Sequence, residues 1–480
     1  MLDAIVIGAG PNGLAAAIRL AEQGHSVRVY ETHDRPGGGA RSAEASVPGV
    51  TYDLGAAIHP LAFASPWLSS LPLDHYGLEW VHPPAALAHP LDSGDALLLR
   101  RDLTATGQML GVDGERWREL FEPLIRNAAD LLDDTLAPAH LPDHPGLLAR
   151  FGIQALRPAA SFASSTFAGP QARALFAGLA AHSFLPLEEY VSAAFGLVLG
   201  MLGHTTGWPF PRGGAQRLSD ALAAYLAALG GELITDTTVT RLADLPPART
   251  YLFDTSAAAL AQIAEPQLPR GYRRQLDRMR QAPGVFKVDY VLDSPVPWAA
   301  AACREAGTLH LGGTLEEIAA SERAVSRGGH PDAPFIIAAQ PTLFDPSRAP
   351  DGIHTLWAYC HVPNGSTVDM TAAIDAQIER FAPGFRERII ARQVMFPADI
   401  EAVSANFIGG DISVGRPDLR QLFTRPVVRR NPYTTPNPRI FLCSAATPPG
   451  GGVHGMCGYH AATAALQRLA RDRSLSVRGT

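Results

Sequence analysis

Ala4-Ile5-Val6-Ile7-Gly8-Ala9-Gly10-Pro11-Asn12-Gly13 leads into a helical run from Leu14 to Gln23 and then into Ser26-Val27-Arg28-Val29-Tyr30-Glu31. This is a buried strand, a glycine loop, a helix and a second strand ending in an acid. The glycine spacing is G-x-G-x-x-G, and Glu31 follows the third glycine by 18 residues. That context turns a weak motif into a dinucleotide-binding fingerprint. Gly8 permits the tight turn out of the strand, Gly10 close backbone approach to a pyrophosphate, and Gly13 close packing of helix on sheet. The N-terminus of the helix that follows offers free N–H groups and a partial positive charge that favour phosphate. Glu31 is placed to accept from ribose hydroxyls.

Outward from this unit, Arg35-Pro36-Gly37-Gly38-Gly39-Ala40-Arg41 forms a second glycine-rich loop before a strand-like Ser42 to Val47. Tyr52-Asp53-Leu54-Gly55-Ala56-Ala57-Ile58-His59-Pro60 is a turn of small residues, suited to lying against something flat. From Asp113 to Gly203 the pattern is mostly helical, with an amphipathic run from Gly114 to Leu132. An apolar stretch follows from Ala172 to Met201. A helix runs to Leu229, stopped by Gly230-Gly231, and a strand is expected from Glu232 to Thr240 with Val239 near its end. Strands are also expected at 284–291, 308–312, 335–339, 354–359 and 440–447, and helices at 370–381 and 456–471.

With 480 residues the chain is too long for one core and suits two domains. A net charge of −6 without a basic block argues against nucleic acid as a partner. The four cysteines (Cys303, Cys360, Cys443, Cys457) have neither zinc nor iron–sulfur spacing, and no metal is expected. Met1-Leu2-Asp3 leads straight into the first strand, so no targeting peptide is expected. No apolar run reaches the ~20 residues of a spanning helix. A cytoplasmic location is expected, with peripheral membrane contact left open.

Of the 40 Lys+Arg residues, only Lys287 is lysine. Lysine is a slim point donor whose pKa shifts readily, whereas arginine stays charged. A position that keeps lysine in so arginine-rich a chain invites a chemical reading, and Lys287 lies on one face of an alternating strand.

Read in order, the Gly8–Gly13 fingerprint, Glu31, the Arg35–Gly38 loop, the Asp53-Leu54-Gly55 turn and Pro449-Gly450-Gly451-Gly452-Val453-His454-Gly455 are recognisable together. The chain resembles the phytoene desaturase-related FAD-dependent oxidoreductases, within the wider group that includes monoamine oxidases and protoporphyrinogen oxidase, and looks most like their bacterial branch. The likeness runs nearly end to end. It implies an α/β fold: a Rossmann-type FAD-binding domain of glutathione reductase and monoamine oxidase type, with a discontinuous, mixed α+β substrate domain. The FAD-binding domain would comprise residues 1–75, 212–285 and 434–480, and the substrate domain 76–211 and 286–433.

The same resemblance assigns roles. FAD, held non-covalently, would rest its diphosphate on Gly8, Gly10, Pro11, Asn12 and Gly13 and its adenosine ribose on Glu31. Arg35, Gly38 and Gly39 would cover the phosphates. Arg41, displaced from the family's usual Gly-Gly-Arg, is a further phosphate candidate. Gly55, Ala56 and Ala57 would lie against the isoalloxazine, and Val239 at the adenine side. Ser444, Gly452, Val453, His454 and Gly455 would sit at the ribityl chain and flavin. Lys287, His454 and His59 are the catalytic candidates. Trp357 and His361 are read as core, with cavity lining as the alternative.

The segment Gly452-Val453-His454 lacks the aromatic residue that amine oxidases place before the flavin. The reading therefore favours a dehydrogenase or desaturase acting on a small hydrophobic, isoprenoid or lipid-like substrate, with a quinone or O2 as electron acceptor. A flavin oxidase of amines, a non-redox flavin isomerase and a non-enzymatic FAD-binding protein remain open alternatives.

Overall fold

The computed structural model describes residues 1–478, built around two main sheets. The first sheet is five-stranded and parallel, in the order Ile440–Leu442, Ala248–Phe253, Leu2–Ile7, Val27–Tyr30, Glu232–Ile234. Parallel strands are covered on both faces, and Ala4, Ile5 and Val6 are accordingly without exposed surface. The first helix, Pro11–Glu22, is the crossover to the second strand. It begins at Pro11, earlier than the expected Leu14, because proline suits the first helical turn. The last helix, Met456–Arg478, packs across it, and a side chain at Gly458 would collide with the Asn12 carbonyl.

The second sheet has seven strands in the order Ile389–Met395, Gly284–Leu292, His354–Val362, Ile336–Ala339, Ala306–Leu311, Ala85–Pro90, Ala96–Leu99. All pairs are antiparallel except that of Ala306–Leu311 with Ala85–Pro90. Alternation splits its strands cleanly. Val285, Tyr359 and Met395 join the core shared with the first sheet, while Phe286, Val288 and Tyr290 join a core beneath the Thr371–Phe381 helix. Helices Pro170–Ala181 and Ser192–His204 cover the shared side and are mostly buried. Among the described residues no helix is long and apolar enough to cross a membrane.

Several expected elements are shorter or divided; the strand expected over 42–47 ends at Glu44. The strand expected to reach Thr240 stops at Ile234, because Asp236 adopts a left-handed conformation (φ 51°), leaving Val239 in irregular chain. The strand expected over 440–447 stops at Leu442, where the Ser444 side chain turns back to accept from Ala446 N–H at 3.2 Å. The helix expected over 114–132 divides into Gly114–Arg126 and Ala128–Thr135, since Asn127 leaves helical geometry and donates to Pro123 O at 2.7 Å.

A glycine cradle and a buried lysine on a facing sheet

The fingerprint loop is held from beneath by a residue that sequence reading passed over. Asp254 follows the Ala248–Phe253 strand, and its Oδ2 accepts from Gly13 N–H at 2.9 Å. A Cβ at Gly8 would lie 2.6 Å from the Asp254 carbonyl oxygen, and one at Gly10 would lie 2.6 Å from Oδ2. Two fingerprint glycines are thus required by close approach of Asp254 from within the chain, not by the ligand alone. Burial raises the Asp254 carboxyl to about 7, assisted by Glu31 and opposed by the Gly13 and Gly10 N–H groups.

Glu31 is buried, its Oε2 accepting from Ala9 N–H at 2.7 Å and its Oε1 from His33 N–H at 3.0 Å. It therefore ties the loop to the end of the second strand. The second glycine loop folds over the first, with Gly37 N–H donating to Ala9 O at 2.8 Å and a Cβ at Gly38 meeting Gly10 Cα at 3.3 Å. Its two arginines point elsewhere. Arg35 is exposed and pairs with Asp220 at 3.2 Å, and buried Arg41 donates to the carbonyls of Gly38 and Val403. Gly39 O accepts from Ala56 N–H at 3.0 Å, joining this loop to the Gly55-Ala56-Ala57 turn.

That turn is anchored from three distant parts of the chain. Asp53 is buried and accepts from Ser42 Oγ and Ala215 N–H, both at 2.7 Å, and from Arg348 Nη1 at 2.6 Å. Arg348 has no exposed surface. Its Nε reaches Asp345 Oδ2 at 3.3 Å and its Nη2 donates to Pro211 O at 3.3 Å. Burial alone would raise the Asp53 carboxyl, but the Arg348 guanidinium and the two hydrogen bonds hold it below the ordinary carboxylate value.

His59, next along the turn, is 1% exposed, and neither ring nitrogen has a hydrogen-bond partner among the described residues. Burial lowers it to about 4, so it is neutral. His454 is buried and neutral for the same cause, also at about 4, but both nitrogens are engaged. Nδ1 accepts from Met456 N–H at 3.0 Å, and Nε2 lies 3.2 Å from Gly450 O. It acts as the side-chain cap of the last helix, a position that leaves no ring nitrogen free for proton transfer.

Lys287 lies on the Gly284–Leu292 strand, 1% exposed. Its Nζ pairs with Asp289, two residues along the same face, and lies 5.2 Å from the Tyr52 ring centre and 5.9 Å from that of Trp357. Trp357 stands directly across the ladder from Asp289, and Tyr359 and Met395 across from Lys287. Burial lowers the lysine and raises Asp289 to about 6, while their mutual attraction opposes both shifts. Tyr52 precedes the small-residue turn, so the lone lysine faces that turn from the opposite sheet. Asp289 Oδ1 and Trp357 Nε1 are buried without hydrogen-bond partners among the described residues.

Further along the same sheet, His361 Nδ1 lies 2.7 Å from Glu322 Oε2, and His182 and His310 meet at 2.8 Å. His361 is 2% exposed and packed against Phe184, so it is a core residue with an ionisable partner. Arg348, Asp254, Asp289 and this histidine seam were not legible as site residues, because each pairs with or packs on groups from other elements.

The residues present fit a flavin dinucleotide. The cradle has little side-chain bulk and two helices starting side by side. It also has buried polar atoms without partners among the described residues in Asn12 Oδ1 and both His59 nitrogens. An exchange of Glu31 for arginine removes two charge-assisted N–H bonds, each contributing roughly 1.5–3 kcal/mol. Glu31→Arg is expected to weaken FAD retention by at least ~100-fold, read as flavin fluorescence released on gel filtration; unchanged occupancy would refute the assignment of Glu31.

The family model of flavin containing amine oxidoreductases matches residues 12–465. The chain is 27% identical to mouse pyridine nucleotide-disulfide oxidoreductase domain-containing protein 2, over 97% of this chain and 94% of that one. It is 24% identical to the lycopene-forming phytoene desaturase of Pseudescherichia vulneris, over 97% of this chain and 99% of that one. A putrescine oxidase triple mutant of solved structure superposes with a TM-score of 0.61 at 20% identity, covering 98% of this chain and 99% of that one.

Proposed function

The chain belongs to the flavin containing amine oxidoreductase family, and from that premise we propose that it is an FAD-dependent dehydrogenase or desaturase acting on a neutral, largely apolar substrate. When bound, FAD supplies the two-electron acceptor, taking a hydride at flavin N5. The observation that carries the substrate class is the Lys287–Asp289 pair. A buried carboxylate flanked by Tyr52 and Trp357 is the arrangement that would draw an ammonium substrate. Here the chain's own lysine takes that carboxylate and lies over both rings, leaving the charge already balanced.

The remaining residues act by binding and exclusion. Gly8 to Gly13 and Glu31 hold the dinucleotide end, and the Gly55–Ala57 turn, pinned through Asp53 by Arg348, presents a flat surface. Lys287 holds a proton at Nζ against Asp289 on the face opposite. The buried helices Pro170–Ala181 and Ser192–His204 keep water from the space they cover.

The test is to reduce the purified flavoprotein without oxygen and time its return in air. Reoxidation over minutes, with a quinone faster than O2, is the expected result. Return within seconds with peroxide released would favour an amine-type oxidase. Turnover by pre-reduced protein without any acceptor would favour the isomerase.

A further inference from the structure

We propose that Asp254 is a cofactor-binding residue that must carry a proton while FAD is bound, so that FAD binding takes up one proton from solvent. The inference rests on the reading that the Gly8–Gly13 loop receives the FAD diphosphate. Asp254 is 7% exposed and is fixed at both ends: its N–H donates to Ile7 O at 2.8 Å, and its Oδ2 accepts from Gly13 N–H at 2.9 Å. That amide is in the first turn of the Pro11–Glu22 helix, where orphan N–H groups and the helix dipole favour a single anion. The chain's own carboxyl already holds this place.

A second carboxylate sits in the same loop, Glu31 Oε2 on Ala9 N–H at 2.7 Å. Among the described residues the Arg41 guanidinium acts on Glu31, and no cation acts on Asp254 itself. Glu31 faces it from the end of the second strand, Cys443 from beyond the Ile440–Leu442 strand and Cys457 from the last helix. Both thiols are pushed up by burial, Cys457 to about 11, so they stay neutral at ordinary pH. Asn406 gives only a neutral amide, donating to Asp254 O at 3.0 Å. The Arg41 guanidinium is turned to the carbonyls of Gly38 and Val403.

When like charges crowd a buried site, one acid takes up a proton. Glu31 is satisfied by two N–H donors from its own neighbourhood. Asp254 is buried with Gly13 N–H on one oxygen, and burial raises it to about 7 before any diphosphate arrives. Protonation turns it from an acceptor-only anion into a group that keeps one oxygen on Gly13 N–H and offers an O–H donor. The added diphosphate charge then holds the proton more firmly.

The sign of the pH dependence follows. Below the free-protein pKa the carboxyl is already neutral and FAD affinity is level. Above it the proton must first be taken up, and affinity falls roughly tenfold per pH unit. The experiment is FAD release from the full-length holoprotein on dilution, followed by flavin fluorescence between about pH 6 and 9, with calorimetric titration in two buffers of different ionisation enthalpy at the alkaline end. Wild type is expected to weaken with unit slope and to take up one proton. Asp254→Asn, a neutral isostere, should show a level profile and bind FAD tighter than wild type at the alkaline end. Glu31→Gln should retain the wild-type slope. A level wild-type profile without proton uptake would overturn the proposal, whether or not the variant folds. An unchanged slope in Asp254→Asn would also overturn it. Absence of FAD at every pH would refute the FAD site itself.

Discussion

Replacing Arg348 by methionine is expected to destabilise the protein by about 3–5 kcal/mol, the usual cost of removing one partner from a buried ion pair. The size follows from what would be left behind. Arg348, Asp53 and Asp345 are each 2% exposed or less, and the guanidinium is shared between the two carboxylates. Without it Asp53 stays buried with only Ala215 N–H and Ser42 Oγ among the described residues, and Asp345 keeps Gly213 N–H, Ser347 and a longer 3.7 Å pairing with partly exposed Arg212. The loss should not remain local. Arg348 joins the turn before Gly55 to the Pro211–Ala215 loop and to the segment after the Ile336–Ala339 strand. The variant should therefore also shed FAD more readily. Urea unfolding of the holoprotein, followed by tryptophan and flavin fluorescence together, measures both effects. A midpoint equal to wild type would mean that the triad contributes nothing net. Arg348→Lys should recover only part of the loss, because an ammonium cannot reproduce the fork that spans both carboxylates.

Lys287→Met is expected to slow the reaction by at least ~100-fold, the lower end of what a positioned proton-transfer group contributes. Methionine matches the length of the stem and takes away the charge. Asp289 would then be buried without its cation and would take up a proton, removing the second charge as well. FAD should remain bound, since Lys287 faces the turn from the opposite sheet and none of the fingerprint contacts involves it. Stopped-flow rates of flavin reduction and reoxidation at several pH values separate the roles. Unaltered rates in both half-reactions, with a normal visible spectrum, would leave Lys287 a structural residue of the sheet.

The lysine shows how far composition could lead. Its rarity and its alternating strand singled it out, and the structure puts it 1% exposed on the strand face toward the small-residue turn. What surrounds it could not be read. Tyr52 comes from a segment far earlier in the chain, and Trp357 is set opposite Asp289 by strand register alone. His454 shows the reverse case. Its place in a glycine-rich terminal loop suggested acid–base chemistry, yet its ring is held by Met456 N–H and the Gly450 carbonyl. The arginines of the second glycine loop behave likewise: Arg35 turns outward to Asp220, and Arg41 is engaged by carbonyls.

The sequence by itself determined the strand–loop–helix–strand unit, the acid at the second strand and the small-residue turns, because those depend on short-range rules. Glycine spacing, strand burial and the N-terminal preference of proline act within a few residues of one another. Only the tertiary structure decided which groups close the site. Asp254 sits 241 residues from Gly13, and Arg348 295 residues from Asp53. Contacts at such separation leave no periodicity in the chain. They arise because desolvated charges must find partners, and the partners are whatever the packed sheets bring within reach.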